Sequence, residues 1–121
     1  MSHVVQISMR LRDPVAIAAA CRRLNLPEPV HGTARLYSAE ATGLLVRLLE
    51  WEYPIVINTD AGSVVFDNFN EHWGKKAELY GFMQMYAVEV AKLEAHKKGH
   101  QVTESQLQDG SIKLQILEGT L

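Results

Sequence analysis

Hydrophobic and polar residues alternate strictly near the start of the chain, where Val5, Ile7, Met9 and Leu11 are separated by Gln6, Ser8, Arg10 and Arg12. A period of two puts each set on its own face, the mark of a half-buried β-strand. Asp13-Pro14 then supplies a side-chain N-cap and a proline suited to the first helical position. Ile17, Cys21 and Leu24 recur on one face among alanines and the pattern ends before Pro27, so a short helix is expected. From Leu26 to Phe69 the helical period is absent. Val30, Gly32, Ala34 and Leu36 alternate with His31, Thr33, Arg35 and Tyr37, a second strand. Leu44-Leu45-Val46-Arg47-Leu48-Leu49 is apolar on both faces, as a central strand would be, with a short buried helix as the alternative. Ile55-Val56-Ile57 and Val64-Val65-Phe66 flank a run of turn formers and should pair as a hairpin. The middle therefore reads as an antiparallel meander.

The period changes again from Glu78. Leu79, Phe82, Met83, Tyr86, Val90 and Leu93 recur at three and four residues, giving a long amphipathic helix with one apolar stripe. Glu94 precedes Lys97 and Lys98 in the favourable orientation for a helical ion pair, and Gly99 provides a left-handed stop. Gly81 inside the stripe costs about 1 kcal/mol relative to alanine, unless it lets the helix approach the sheet closely. Segments 101–106 and 111–117 flank Asp109-Gly110, a strong hairpin dipeptide, with Ile112, Leu114 and Ile116 as the inward face of the last strand. The order is β-α-β-β-β-β-α-β-β. It predicts an α+β fold, a two-layer sandwich with two helices on one face of an antiparallel or mixed sheet, as a single domain over residues 1–121.

Composition narrows the function more than it narrows the fold. The 121 residues are 47% hydrophobic and 21% charged, ordinary for a globular domain. The net charge is −2, with six basic against six acidic side chains in residues 1–60 and six against eight in residues 61–121. Neither half has the basic excess that binding to a polyanion demands, so nucleic acid is disfavoured as a partner. Cys21 is the single cysteine, which excludes a disulfide framework and a thiolate metal cluster. The run from Pro14 to Cys21 resembles the end of a bacterial lipoprotein signal, but Asp13 interrupts it after an alternating start, and it reads as a helix. With no apolar run of spanning length, a cytosolic protein without membrane contact is expected.

Certain residues carry a family resemblance: Met1-Ser2-His3 before an alternating strand, Tyr86-Ala87, the run from Gly99 to Glu104, and Asp109-Gly110-Ser111-Ile112-Lys113-Leu114. Together they resemble an uncharacterised family of small proteins found as a reading frame in algal plastid genomes, in cyanobacteria and in other bacteria. The likeness is specific at the two ends, whereas Ala34 to Phe69 departs from the plastid pattern. The family has no established activity, so the resemblance implies no catalytic residue. It does imply a bacterial-type cytosolic protein, and an association with operons carrying an AAA-type ATPase implies an accessory or adaptor role.

Few residues suggest chemistry. His96 and His100 have the spacing of paired helical zinc ligands, but the residues between them lack the metalloprotease glutamate and Gly99 ends the helix there. No metal and no cofactor are expected. Cys21 lies on the apolar face of an alanine-rich helix, where a thiol is inert core rather than nucleophile. The richest segment, from Phe66 to Lys76, gathers Asp67, Glu71 and His72 with Phe69 and Trp73 between a strand and the long helix. It is either a recognition surface or a connection in which Asn70 caps a turn and Trp73 folds onto the core. Trp51-Glu52-Tyr53-Pro54 is a second aromatic cluster, at the turn before the central hairpin. The lysine pairs at 75–76 and 97–98 lie among glutamates and read as a solvated face.

The leading expectation is a non-catalytic protein-binding or adaptor module that uses Trp51, Tyr53, Phe69 and Trp73 on a protein partner. The alternative is a small enzyme or ligand-binding domain, with Asp67, Glu71 and His72 lining a pocket at the base of the long helix. A homo-oligomer is compatible with both. A weak RNA or DNA binder using the lysine pairs is a third, disfavoured class.

Overall fold

The computed structural model of the protein describes the backbone of residues 4–8 and the whole of residues 10–118; Met1-Ser2-His3 and Met9, which entered the sequence expectations, lie outside the described residues. Elements follow one another as expected: β1 (Val4–Ser8), α1 (Pro14–Arg23), β2 (Val30–Arg35), β3 (Glu40–Val46), β4 (Ile55–Asn58), β5 (Ser63–Asp67), α2 (Lys76–Lys97), β6 (Gln101–Gln106) and β7 (Ile112–Leu117). The fold is α+β. The strands form a five-stranded antiparallel sheet in the order β1-β5-β4-β3-β2, and β6 and β7 pair as a separate antiparallel hairpin.

Local chemistry accounts for most element ends. Asp13 caps α1 by accepting from the N–H groups of Val15 and Ala16 at 2.9 and 3.3 Å, with Pro14 opening the helix. Asn25 ends α1 in the left-handed region at φ 57°, so Leu26 N–H reaches Cys21 O at 2.9 Å. Gly99 (φ 75°) ends α2 in the same way, with His100 N–H on Ala95 O. In the last hairpin Gln108-Asp109-Gly110 is a three-residue loop with Gly110 at φ 88°, longer than a two-residue turn, and Asp109 accepts from Ser111 N–H. The apolar run 44–49 divides. Leu44 to Val46 end β3, while Leu48 drops into the core from the following connection.

The main core lies between the sheet and the helices. Val46, Ile55, Ile57, Val64 and Phe66 face Ile17, Ala20 and Cys21 of α1 and Leu79, Phe82 and Tyr86 of α2. Each fully buried Val, Ile, Leu or Phe side chain among these contributes about 1.5–3 kcal/mol of burial free energy. The Tyr86 hydroxyl adds a polar clamp: it donates to Arg10 O at 3.0 Å and accepts from the N–H groups of Arg12 and Asp13, both at 3.1 Å. It thus satisfies the backbone of the link from β1 to α1.

Helix α2 is buried on two sides, not along one stripe. Val88 and Ala95 are buried half a turn away from the Leu79–Phe82–Tyr86 stripe. On that side Gln84 donates to Gly110 O at 3.4 Å and Lys92 approaches Glu104 at 3.6 Å, so the β6–β7 hairpin lies across it. Arg23 of α1 joins the same network through Glu104 (2.5 and 2.7 Å) and Glu89 (3.2 Å). Ile112 and Leu114 are half-buried, but Ile116, expected on the same inward face, remains 47% exposed.

The helix-free face of the sheet is covered by the sheet itself. β3 pairs with β4 from Leu44 to Val46, whereas the β2–β3 ladder continues to Arg35 and Glu40. At the junction a Cβ on Gly43 would lie 2.5 Å from Ile57 O, so glycine is what permits the close approach. Beyond it the hairpin tip, at Tyr37, reaches within 5.1 Å of Trp73, which is bonded to the connection leading into the far end of β4. A straight ladder rising about 3.3 Å per residue would carry the tip away from there. The hairpin therefore folds back, and Leu36 (1% exposed) and Ala34 are buried with Val56 outside the helix-side core.

Two substitutions separate these roles of glycine. A Cβ at Gly81 would meet nothing within 4 Å, so Gly81→Ala is expected to stabilise the protein by about 0.5–1 kcal/mol. Gly43→Ala must displace backbone and is expected to destabilise by about 1–3 kcal/mol; urea denaturation of both variants checks the pair. A third test concerns pH. The hydrogen bond from Arg23 holds the Glu104 carboxyl below its ordinary range, with burial opposing. The folded value lies below the unfolded one, so this stabilisation is complete above the usual glutamate range and lost as pH falls through the depressed value. Glu104→Gln should cost about 1 kcal/mol at neutral pH, and nothing well below the glutamate range, in denaturant titrations at each pH.

Candidate functional site

Two connections meet at the end of the sheet where α2 begins: residues 47–54, from β3 to β4, and residues 68–75, from β5 to α2. Their meeting point is Trp51 against Gly74. Trp51 is 9% exposed, its ring sits edge-on to Phe66 at 5.6 Å, and its Nε1–H donates to Lys75 O at 3.1 Å. A Cβ on Gly74 would lie 2.3–2.6 Å from the indole atoms, so the Gly74 backbone itself forms the lid on that ring. Glu52 N–H donates to Trp73 O at 2.8 Å, and Asn68 Nδ2–H donates to Gly74 O at 3.2 Å. Trp51 is thus a core plug with a satisfied N–H, which removes it from the expected set of exposed anchors.

The second connection turns in an unusual way. Phe69, Asn70 and Glu71 occupy the left-handed region consecutively (φ 46°, 50° and 71°), and Glu50 does so opposite them (φ 59°). Non-glycine residues held there cost roughly 1 kcal/mol or more each, and the surrounding bonds must hold them in place. Trp73 N–H on Asn68 O and His72 N–H on Phe69 O, both 3.0 Å, close the turn. The expected cap by Asn70 is not what forms. Lys75 occupies the N-cap without a side-chain bond, and Glu71 instead accepts from Lys76 N–H at 2.9 Å. Asn70 is exposed and lies in the left-handed region, within the turn rather than at the start of the helix.

The turn gathers aromatic rings around Trp73. Phe69 stacks on it at 4.8 Å and 29°, Tyr53 meets it edge-on at 5.6 Å, and Tyr37 leans on it at 5.1 Å and 50°. His72 packs against Phe69 at 4.9 Å and 38°. Such pairs contribute about 0.5–1.5 kcal/mol each beyond simple burial. Tyr53, Phe69 and Trp73 are half-buried and Tyr37 is 63% exposed, so the rings form one patch open to solvent. Three of the four were expected as binding residues from their sequence setting. Tyr37 was not, because it belongs to a hairpin tip distant in sequence and only the fold-back brings it here.

Asp67, Glu71 and His72 are not brought together. Glu71 and His72 are exposed and line a hollow of about 210 Å³ with Glu50, Lys75 and Glu78. Asp67 does not line it. It is 0% exposed, and neither carboxylate oxygen has a hydrogen-bond partner among the described residues. Alternation along β5 explains the separation: Val64 and Phe66 face the helices, so Asp67 points to the helix-free face of the sheet. Burying an uncompensated carboxylate costs several kcal/mol, which makes Asp67 the most anomalous side chain among those described.

Elsewhere the chemistry is inert. Cys21 is buried, and burial, aided by the Glu28 charge and opposed by Arg22, pushes its thiol up to about 11. His96 lies in the last turn of α2 and His100 beyond the glycine stop, and among the described residues no three metal-ligating side chains cluster. An apolar hollow of about 320 Å³ between Arg10 and the Met83–Val90 flank of α2 gathers no carboxylate, histidine or thiol among the described residues. No helix among the described residues is long and apolar enough to cross a membrane. Comparison of the chain with protein-family models, with curated proteins and with solved structures finds no match in any of the three.

The contact between Gly74 and Trp51 is testable. Gly74→Ala should expel the indole from its seat, red-shifting tryptophan emission and costing about 3 kcal/mol or more of stability. An unchanged emission spectrum and denaturation midpoint would mean that Trp51 is not held by that backbone.

Proposed function

We propose that this protein is a non-catalytic protein-binding module, with the rings of Tyr37, Tyr53, Phe69 and Trp73 as its binding surface. One observation carries this reading: rings from three separate connections are gathered on a single solvent-open patch. Aromatic side chains held by a rigid scaffold lose little conformational freedom on binding, which is why they recur as interface anchors. The scaffold here is the backbone lattice joining residues 51–54 to 68–75. An adaptor role beside an AAA-type ATPase, which the likeness to the plastid and bacterial family implies, is consistent with such a surface. A small enzyme or ligand-binding domain is supported less well, because Asp67 is buried apart from the hollow that Glu71 and His72 line and Glu71 is engaged by the Lys76 N–H.

The Trp73 side chain can be removed without breaking the backbone bonds of its residue. Trp73→Ala should therefore stay folded, losing about 1–2 kcal/mol. Its partner affinity should fall by roughly 30-fold or more, as loss of a hot-spot aromatic does. Quantitative capture of partners from the native cell by wild type and variant measures this, and equal capture by both would remove the patch as the binding surface. Trp51→Ala should instead destabilise by about 3–5 kcal/mol, as loss of a core aromatic does.

A further inference from the structure

We infer that the apolar hollow beside Arg10 binds a single-chain carboxylic acid of medium length, its hydrocarbon chain against α2 and its carboxylate on Arg10. This site is independent of the aromatic patch and of the hollow that Glu71 and His72 line. Val90, in its lining, lies about 22 Å further along α2 than Lys75, where the connection bearing Phe69 and Trp73 ends. The ligand is held and not transformed, since no carboxylate, histidine or thiol lines the hollow among the described residues.

At about 320 Å³ the hollow falls at the lower end of the range of about 300–1,000 Å³ in which small-molecule sites occur. That size suits one short chain and not the paired chains of a membrane lipid. Leu11 reaches it from the link between β1 and α1, and Met83, Ala87 and Val90 reach it from α2. Ala87 is exposed and Met83 and Val90 are half-buried, so apolar surface stands open where a helix flank is ordinarily polar. Tyr86 is the one uncharged polar side chain in the lining among the described residues. Its hydroxyl has one donor and two lone pairs, and all three are spent on Arg10 O and on the N–H groups of Arg12 and Asp13. A neutral polar ligand therefore finds no free hydroxyl to bond, whereas a hydrocarbon chain needs none.

Arg10 supplies the charge. It is exposed and belongs to the lining, and an arginine so placed lays its methylene stem along apolar surface while its guanidinium stays in water. Among the described residues no ion pair involves Arg10 or Arg12. The carboxylates nearest along the chain are already engaged. Asp13 accepts from the N–H groups of Val15 and Ala16, Glu89 pairs with Arg23 and Lys92, and Glu94 pairs with Lys97. Positive charge beside the hollow is therefore uncompensated among these groups, and an anionic head complements it. A carboxylate matches the two parallel N–H donors of a guanidinium, and an acyl chain attached to it fills the apolar space.

The test uses the full chain, isotope-labelled at its methionine methyl groups, with Met83 assigned through Met83→Leu. Octanoate, octanol, octylammonium and butanoate are titrated separately, each as a monomer. Octanoate is expected to shift the Met83 methyl resonance saturably and to leave Met85, which does not line the hollow, in place. Octanol should bind about two- to fivefold more weakly, the factor that a solvent-exposed ion pair contributes, and octylammonium more weakly still. Butanoate should lose about tenfold or more, because four methylenes are removed. Arg10→Gln should bring octanoate to the affinity of octanol and leave octanol unchanged. Ala87→Phe, at an exposed position, should weaken octanoate by about tenfold or more with an unaltered melting curve. Should that variant fail to fold, Arg10→Gln and the ligand series decide. No saturable shift at Met83, octylammonium as tight as octanoate, or full octanoate affinity in Arg10→Gln or in folded Ala87→Phe would each overturn the proposal. Binding to phosphatidylglycerol vesicles without binding of monomeric octanoate would overturn it too, and make the hollow a membrane contact. Partner capture through Trp73 is a separate readout that none of these results changes.

Discussion

The seating of Trp51 under the backbone of Gly74 is the constraint on which the rest of the site depends. An indole at the end of a small core must be both covered and hydrogen-bonded, and here one short segment does both. Gly74 lies on the ring face and the Lys75 carbonyl takes the N–H. Holding those two residues fixes where α2 starts, because Lys75 is its N-cap. The same hold places Trp73 one residue earlier, with its carbonyl on the Glu52 N–H and its ring turned outward to Tyr53, Phe69 and Tyr37. A core requirement at position 51 therefore builds a surface feature at position 73. The strained turn at 69–71 is the consequence, since the chain has only a few residues in which to leave β5 and come back over the indole.

The main sheet and helix α2 are each covered on both sides by segments of their own chain. The sheet has helices on one face and the tip of its own β2–β3 hairpin on the other. Helix α2 has the main core on one side and the β6–β7 hairpin on the opposite one. Small domains gain little from a single core, because much of the surface of each element stays exposed. Folding a hairpin back, or laying one across a helix, recovers some of that area. The Arg23–Glu104–Glu89–Lys92 network then ties α1, α2 and β6 together at the seam between the layers.

Element order was readable because most elements obey a single local rule. Asp13-Pro14 opens α1, Gly99 closes α2, and the turn formers between Ile57 and Val64 join β4 to β5, all through interactions spanning a few residues. Where two environments compete, local rules fall short. The run 44–49 is apolar on both faces, and no period tells that β3 stops at Val46 while Leu48 enters the core from a loop. Val88 and Ala95 do not fall on the stripe of α2 because their burial comes from a hairpin that follows in sequence. At the site, the aromatics at 53, 69 and 73 stood out as large apolar rings in polar connections. Tyr37 was hidden within an alternating strand. Asp67 looked like one of three nearby titratable groups until strand alternation sent it to the opposite face from the α2 helix.

The sequence by itself determined the elements and their order, since periodicity, caps and turn dipeptides act over distances shorter than one element. Only the tertiary structure decided that Trp51 is core while Trp73 is surface, that Tyr37 joins the patch, and that the Asp67 carboxylate is fully buried with no hydrogen-bond partner among the described residues. Those outcomes depend on which face of each strand is covered and by what, and that is set by contacts between residues tens of positions apart. A glycine at 43 that lets a hairpin bend, and another at 74 that lets a backbone lie on an indole, carry the information. Neither has a side chain that announces it.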